Sequence, residues 1–331
     1  MTPDELPVSV QFLQLITAKW VVKPMYVAAK LKLADHIKSG VTDVASLAEK
    51  TGTKADMLYR LLRALSSVGI FHEGEGQNFT LTPLAECLLD EPGSPRDMLL
   101  FVNDPVHDRA WDHLHYCLET GNVGFEKAHG AGIFDYCKTD LDFSEVFNRA
   151  MSSNGQAVHS ATASVLDISS VDTLYDIGGG HGHLIKFLMD KAPSLKGGVF
   201  DLPHVVAGAE DAKYPELKIM AGSFFEDIPK GADAHILSFI IHDWDDESAV
   251  KILQNCYQAL PAGGHLFICD AIINEPNAPN LGKLLDIEMI VMTTGKERTV
   301  DEFKTLIEAS GFAFEGIVDT PGPHSVICGR K

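Results

Sequence analysis

The 331-residue sequence is short of positive charge: 27 Lys and Arg stand against 46 Asp and Glu, a formal net charge of −19. Neutralising phosphates or docking on anionic lipid needs the opposite balance, so nucleic acid and membrane are excluded as expected partners and a small molecule, including a cationic one, is favoured. Cysteine is sparse as well. Cys87, Cys117, Cys137, Cys256, Cys269 and Cys328 form no CxxC pair and no tight framework. Together with a start, Met1-Thr-Pro-Asp-Glu5, that lacks a basic leader, this predicts free thiols in a reducing cytoplasm. Long apolar runs are missing too: the richest stretch, Val8 to Leu33, is interrupted by Lys19, Lys23, Pro24, Lys30 and Lys32. What is present, 45% apolar residues, can fill a complete core, and the length suits two domains.

The acidic excess is uneven. Residues 1–100 carry 10 basic and 12 acidic side chains, whereas 17 face 34 in the remainder. Apolar positions at helical spacing predict helices over residues 8–38 and over Val44–Lys50. A further helix is predicted from a Thr53-x-x-Asp56 capping box through Leu58, Leu61, Leu62 and Leu65 to a stop at Gly69. A hairpin follows over Ile70–His72 and Phe79–Leu81, completing a winged-helix pattern. Lys54, Arg60 and Arg63 could serve as phosphate contacts, but Asp56 lies beside them and the module is slightly acidic; dimerisation through the apolar N-terminal helices, in a domain-swapped or interdigitated homodimer, is the favoured reading. Residues 97–165 read as helical. From Asp172 strands alternate with helices: Leu174–Ile177, Val199–Leu202, Lys218–Ala221, Ala234–His242 and His265–Ile273, with helices after Gly182 and over Val205–Ala212, Glu247–Leu260 and Val300–Ser310. That alternation predicts an α/β class with a doubly wound parallel sheet, closed by an antiparallel edge hairpin over Ala313–Val318 and Ser325–Cys328.

The sharpest local signal is Tyr175-Asp176-Ile177-Gly178-Gly179-Gly180-His181-Gly182, after an apolar strand and opening a helix. Glycines there allow a tight turn and close approach of a ligand to the backbone. Asp201 ends the next strand, where a carboxylate can take the hydroxyls of a ribose. The pattern departs from the dinucleotide fingerprint, because His183 stands where its third glycine belongs and Asp176 would repel a pyrophosphate. S-adenosylmethionine, with an ammonium, a sulfonium and no phosphate, fits better. The run Ile236–Ile241 then leads to His242-Asp243-Trp244-Asp245-Asp246. An imidazole at a strand end can act as general base, and either Asp270 or Glu297 could orient it. His242, Asp243, Asp245 and Asp246 would be crowded and cannot converge on one ion if Asp245 and Asp246 begin a helix, and His181-x-His183 and His113-x-His115 offer two ligands each, so no metal site is expected.

These motifs, with Phe200-Asp-Leu-Pro203, Pro261-Ala-Gly-Gly264, Gly295-Lys-Glu-Arg-Thr299 and Phe147-Asn-Arg-Ala-Met151, resemble those of the small-molecule O-methyltransferases that include plant caffeate-type and bacterial polyketide and carotenoid enzymes, from about residue 12 to the end. The resemblance implies a winged-helix dimerisation domain over 1–100, acceptor-pocket helices over 101–165 and a seven-stranded S-adenosylmethionine-binding domain over 166–331. It implies His242 as base bracketed by Asp270 and Glu297. For the cofactor it implies Asp176, Gly178, Gly180, Asp201, Leu202, Gly222, Ser223, Phe224, Ser238 and Trp244, and for the acceptor Met151, Asp243, Met289, Met292 and Phe134. Two positions depart from many members: Ser223 and Phe224 follow Gly222 where an acidic residue is common, and Ser238 stands where plant enzymes have lysine.

The expected reaction is methyl transfer to a phenolic or enolic hydroxyl that His242 deprotonates, releasing S-adenosylhomocysteine. With a phenol near pKa 10 and an ordinary histidine near 6.5, full proton transfer is uphill by about 5 kcal/mol. Unactivated alcohols are worse. Two rivals remain at this level: the same scaffold turned to decarboxylation, hydroxylation or cyclisation, and a cofactor-sensing winged-helix regulator.

Overall fold

The computed structural model describes residues 6–207 and 209–331, with the side chains of Asn154, Gln156 and Ala157 left aside. The chain divides into two compact units, residues 6–108 with Leu141–Asn154, and Arg109–Asp140 with Gly155–Lys331, so the Leu141–Val165 helix contributes to both.

In the first unit, helices Val8–Ile16, Lys19–Lys30, Leu33–Lys38, Val44–Thr51 and Ala55–Ser67 precede an antiparallel hairpin of β1 (Phe71–Glu73) and β2 (Phe79–Leu81). Leu58, Leu62 and Leu65 recur on one face of Ala55–Ser67 and are buried with Leu33, Leu47, Phe71 and Phe79. Each such side chain contributes about 1.5–3 kcal/mol. The expected capping box does not form: Lys54 is the N-cap, and the Thr53 hydroxyl bonds Thr51 instead. Helix Val8–Ile16 buries none of its residues, leaving Val8, Phe12, Leu13, Leu15 and Ile16 exposed.

The second unit is a mixed sheet of β3 (Thr173–Ile177), β4 (Lys196–Asp201), β5 (Lys218–Ala221), β6 (Ala234–Ser238), β7 (His265–Ile273), β8 (Arg298–Thr299), β9 (Ala313–Asp319) and β10 (His324–Arg330). The order is β5-β4-β3-β6-β7-β10-β9, with β8 pairing the end of β7. Strands β3 to β7 run parallel, confirming the doubly wound class, and helices cover both faces. The winding reverses between β3 and β6, the place where open sheets of this type leave a ligand crevice at their carboxyl edge.

Four details differ from the sequence reading. Strand β6 stops at Ser238, because Phe239 adopts a left-handed φ of +57°; the apolar run continues into a short 3-10 turn, Ile241–Asp243. Periodicity cannot separate a buried strand from a buried turn when every residue is apolar. The helix expected over 205–212 is only Pro203–Val206. Helix Leu281–Met292 was not expected. In the closing hairpin, only β9 is at the edge: β10 inserts between β9 and β7, antiparallel to both.

Candidate active site

The turn after β3 is built for close backbone approach. Gly178 and Gly180 have φ of +73° and +59°, which residues with a Cβ rarely adopt, and a Cβ on Gly178 would strike the Ile240 side chain. One oxygen of Asp201 accepts from the Gly180 amide at 2.9 Å and the other from Leu202 at 2.6 Å, so this carboxylate braces the turn. Asp176 is 1% exposed and neither of its oxygens has a hydrogen-bond partner. Burial, helped by the Asp201 charge, pushes its pKa up to about 7. Ser238 also holds a buried, unpartnered hydroxyl. An orphaned carboxylate beside an open glycine turn is what an ammonium-bearing ligand would complete, and a pyrophosphate would not. Gly222 is needed for space, since a Cβ would enter the Phe200 ring. Next to it, the Ser223 hydroxyl accepts from the Phe225 amide at 3.3 Å, and Phe224 meets Trp244 edge-on at 6.0 Å. These residues fit S-adenosylmethionine.

Further along the same edge lies His242, 7% exposed and carried by the 3-10 turn. Its Nδ1 is 2.7 Å from Glu297 Oε1, and its Nε2 is 3.7 Å from Asp243 Oδ1. The choice left open between Asp270 and Glu297 falls to Glu297 as the hydrogen-bonding partner; Asp270 is fully buried with both oxygens unpartnered. Burial alone would lower the imidazole pKa, but the Asp243, Asp270 and Glu297 carboxylates outweigh it and raise it to about 10. Burial also raises Asp243 to about 6 and Asp270 to about 7 against the pull of His242. The arrangement favours the imidazolium.

The Gly295–Thr299 segment clamps the histidine turn from outside. Gly295 lies against the His242 carbonyl, where a Cβ has no room. Arg298, 0% exposed, donates to the carbonyls of Ile241 at 3.0 Å and Trp244 at 2.8 Å and to Asp246 at 2.9 Å. Thus Glu297 grips the ring while its neighbour grips the backbone carrying it. Arg298 escaped the sequence reading; adjacency to Glu297 was the only available signal. Phe134 stacks on Trp244 at 6.1 Å and 21°, while Met289 and Met292 are buried in helix Leu281–Met292. Met151 lies in the other unit and is 38% exposed. Among the described residues no group of three or more His, Cys, Asp or Glu could hold a metal ion.

Residues 111–313 match the model of the O-methyltransferase domain, and residues 13–91 that of the O-methyltransferase dimerisation domain. A phenazine O-methyltransferase of Lysobacter antibioticus is 38% identical over 98% of this chain and 97% of its own. A phenazine-1-carboxylate N-methyltransferase of Pseudomonas aeruginosa is 30% identical over 97% of each. Among solved structures, an O-methyltransferase from neocarzinostatin biosynthesis, in complex with S-adenosylmethionine and 2-hydroxy-5-methyl naphthoic acid, superposes with a TM-score of 0.80 at 29% identity, covering 93% of this chain and 95% of that one. With its crevice, its orphaned carboxylate and both family domains in sequence, the chain belongs to the S-adenosylmethionine-dependent methyltransferases of secondary metabolism that join a dimerisation domain to an O-methyltransferase domain.

Proposed function

We propose that the acceptor atom is the oxygen of a phenolic or enolic hydroxyl on a small aromatic molecule, and that His242 is the base that removes its proton. The His242–Glu297 pair at 2.7 Å carries this reading. Bound S-adenosylmethionine supplies a methyl group on a sulfonium sulfur. Glu297, on Nδ1, fixes the tautomer and leaves Nε2 to receive the hydroxyl proton. With the imidazole raised to about 10, proton transfer from a phenol of similar pKa is close to isoenergetic, in place of the uphill step expected for an ordinary histidine. The same carboxylates keep His242 protonated in the free enzyme at neutral pH, so turnover of a weakly acidic phenol should increase with pH toward about 10.

A ring nitrogen with a free lone pair has no proton to lose, and a buried base with three carboxylates around it would serve no purpose there. That favours oxygen over nitrogen, and methyl transfer over the decarboxylating, hydroxylating or cyclising uses of the scaffold. Asp176, Gly178, Gly180, Asp201 and Ser238 are assigned to the cofactor, and Phe134, Asp243, Met289 and Met292 to the acceptor. The exposed apolar face of Val8–Ile16 is assigned to a second copy of the chain, consistent with the dimerisation domain. His242→Ala should lower kcat toward a phenol by about 10²–10⁴-fold. Methyl ether formed as fast as by the parent, measured with release of S-adenosylhomocysteine, would sink the base assignment.

A further inference from the structure

Several buried polar atoms without partners lie where a ligand is expected: Asp176 and Ser238 on the cofactor side, Asp270 and Glu297 Oε2 around the base. Two histidines near Phe239 belong to neither group. His324 is 5% exposed, yet both of its ring nitrogens lack a partner. His159, on helix Leu141–Val165, has a buried Nδ1 in the same condition. Both imidazoles surround one ring, Phe239, whose centroid is 4.5 Å from His324, 6.3 Å from His159 and 5.8 Å from His242. Phe239 is held there by the left-handed turn that ends β6. A buried imidazole with two unmet nitrogens forfeits hydrogen bonds it had in water, and such groups persist where a ligand supplies the partner.

Their place in the sheet says which ligand. The cofactor turn follows β3 and is braced from β4; His242 follows β6; His324 opens β10, opposite Ala271 and one residue past the Asp270 pair. His324 therefore lies beyond the base on the side away from the cofactor turn, where the body of an acceptor must extend once its hydroxyl meets His242. Burial, and then the neighbouring positive charge of His242, holds the His324 pKa down to about 4; burial with His183 and His324 does the same for His159. Both are neutral, so each offers one N–H to an uncharged acceptor atom. His235 forms a contrast: it is equally orphaned but fully buried in mid-strand beneath Tyr175, away from the edge.

We propose that His324, seconded by His159, is a specificity anchor that donates a hydrogen bond to a carbonyl oxygen on the acceptor's aromatic frame, selecting hydroxylated quinones and aryl ketones over plain phenols. The proposal rests on the hydroxyl-transfer reading above for the direction in which the acceptor extends. Matched probes are 1- and 2-hydroxyanthraquinone against 1- and 2-hydroxyanthracene, which share a three-ring frame and differ in the two carbonyls. Binding is read by calorimetry on protein loaded with S-adenosylhomocysteine, and turnover by methyl ether formation. The parent should prefer at least one hydroxyanthraquinone by about 10-fold or more, and His324→Phe should remove that preference while His324→Gln, which keeps a donor, restores part of it. Equal losses on both frames, an unchanged preference in His324→Phe, or a parent that binds neither quinone would each overturn the anchor. A His324-dependent preference in binding with no ether formed would instead leave the anchor standing and remove the hydroxyl-transfer reading.

Discussion

Glu297→Gln keeps the shape of the side chain and removes its charge, so it isolates the electrostatic part of the His242 assembly. Glu297 is the group hydrogen-bonded to the ring, at 2.7 Å from Nδ1 with its side chain wholly buried. Two unit charges about 4 Å apart in an effective dielectric of about 20 interact by about 4 kcal/mol, equivalent to about three pKa units. That figure is a ceiling, because Asp243 and Asp270 continue to raise the imidazole pKa after the change. Read above the pH at which His242 titrates, where the imidazole is neutral in both proteins, the expected outcome is a fall of up to about 10²–10³-fold in the single-turnover rate with a weakly acidic phenol, together with a downward shift of that titration. The second arm uses an electron-poor phenol that is already ionised at neutral pH. It needs no base, so its penalty should be smaller by at least about 10-fold. Equal penalties on both acceptors, or a variant within two-fold of the parent on the first, would show that Glu297 does not act through the proton.

The remaining predictions concern the cofactor crevice and the clamp. Asp176 has a folded pKa raised from 3.8 to about 7, so across that window the folded protein holds a proton that the unfolded chain has lost, and the ligand-free protein loses stability as pH rises through it. An ammonium at this carboxylate favours the ionised form; binding of S-adenosylhomocysteine should therefore release close to one proton below about pH 7 and tighten with pH up to there. Calorimetry in buffers of different ionisation enthalpy measures the release. Asp176→Asn should abolish it and weaken binding at pH 8 by about 100-fold; an unchanged proton count in that variant would remove the assignment. Gly295→Ala forces the Gly295–Thr299 segment off the His242 carbonyl, with an expected cost of about 1–3 kcal/mol in stability and a loss of kcat. Gly263→Ala is the control: its φ is +78° but its surroundings are open, so it should cost stability through backbone strain alone and leave kcat intact.

The features legible in the sequence are those whose parts are close along the chain. Asp176, the glycines and Asp201 belong to one strand-turn-helix-strand unit, in which the spacing itself brings the carboxylates to the turn. The alternation that announces the parallel sheet is local in the same way. Helix Leu281–Met292 was missed because its apolar residues do not keep to one face. The short stop of β6 was missed because Phe239, not a glycine, takes the left-handed turn, against the usual steric rule.

The sequence alone pointed to a ligand with positive charge and no phosphate at a glycine turn on a strand end, and to a histidine on the same edge of the sheet. Only the tertiary structure decided what that histidine is. Glu297, 55 residues away, takes its Nδ1; Asp270 is brought close but left unpaired; and Arg298 ties down the turn beneath it. The pKa of about 10 arises from the adjacent Asp243 joined by Asp270 and Glu297 from other segments, closing on one ring out of water; that convergence is a property of packing that no spacing along the chain encodes. His324 is the extreme case: a histidine in an unremarkable strand by sequence, it gains meaning only because β10 inserts beside β7 and leaves its two nitrogens without partners.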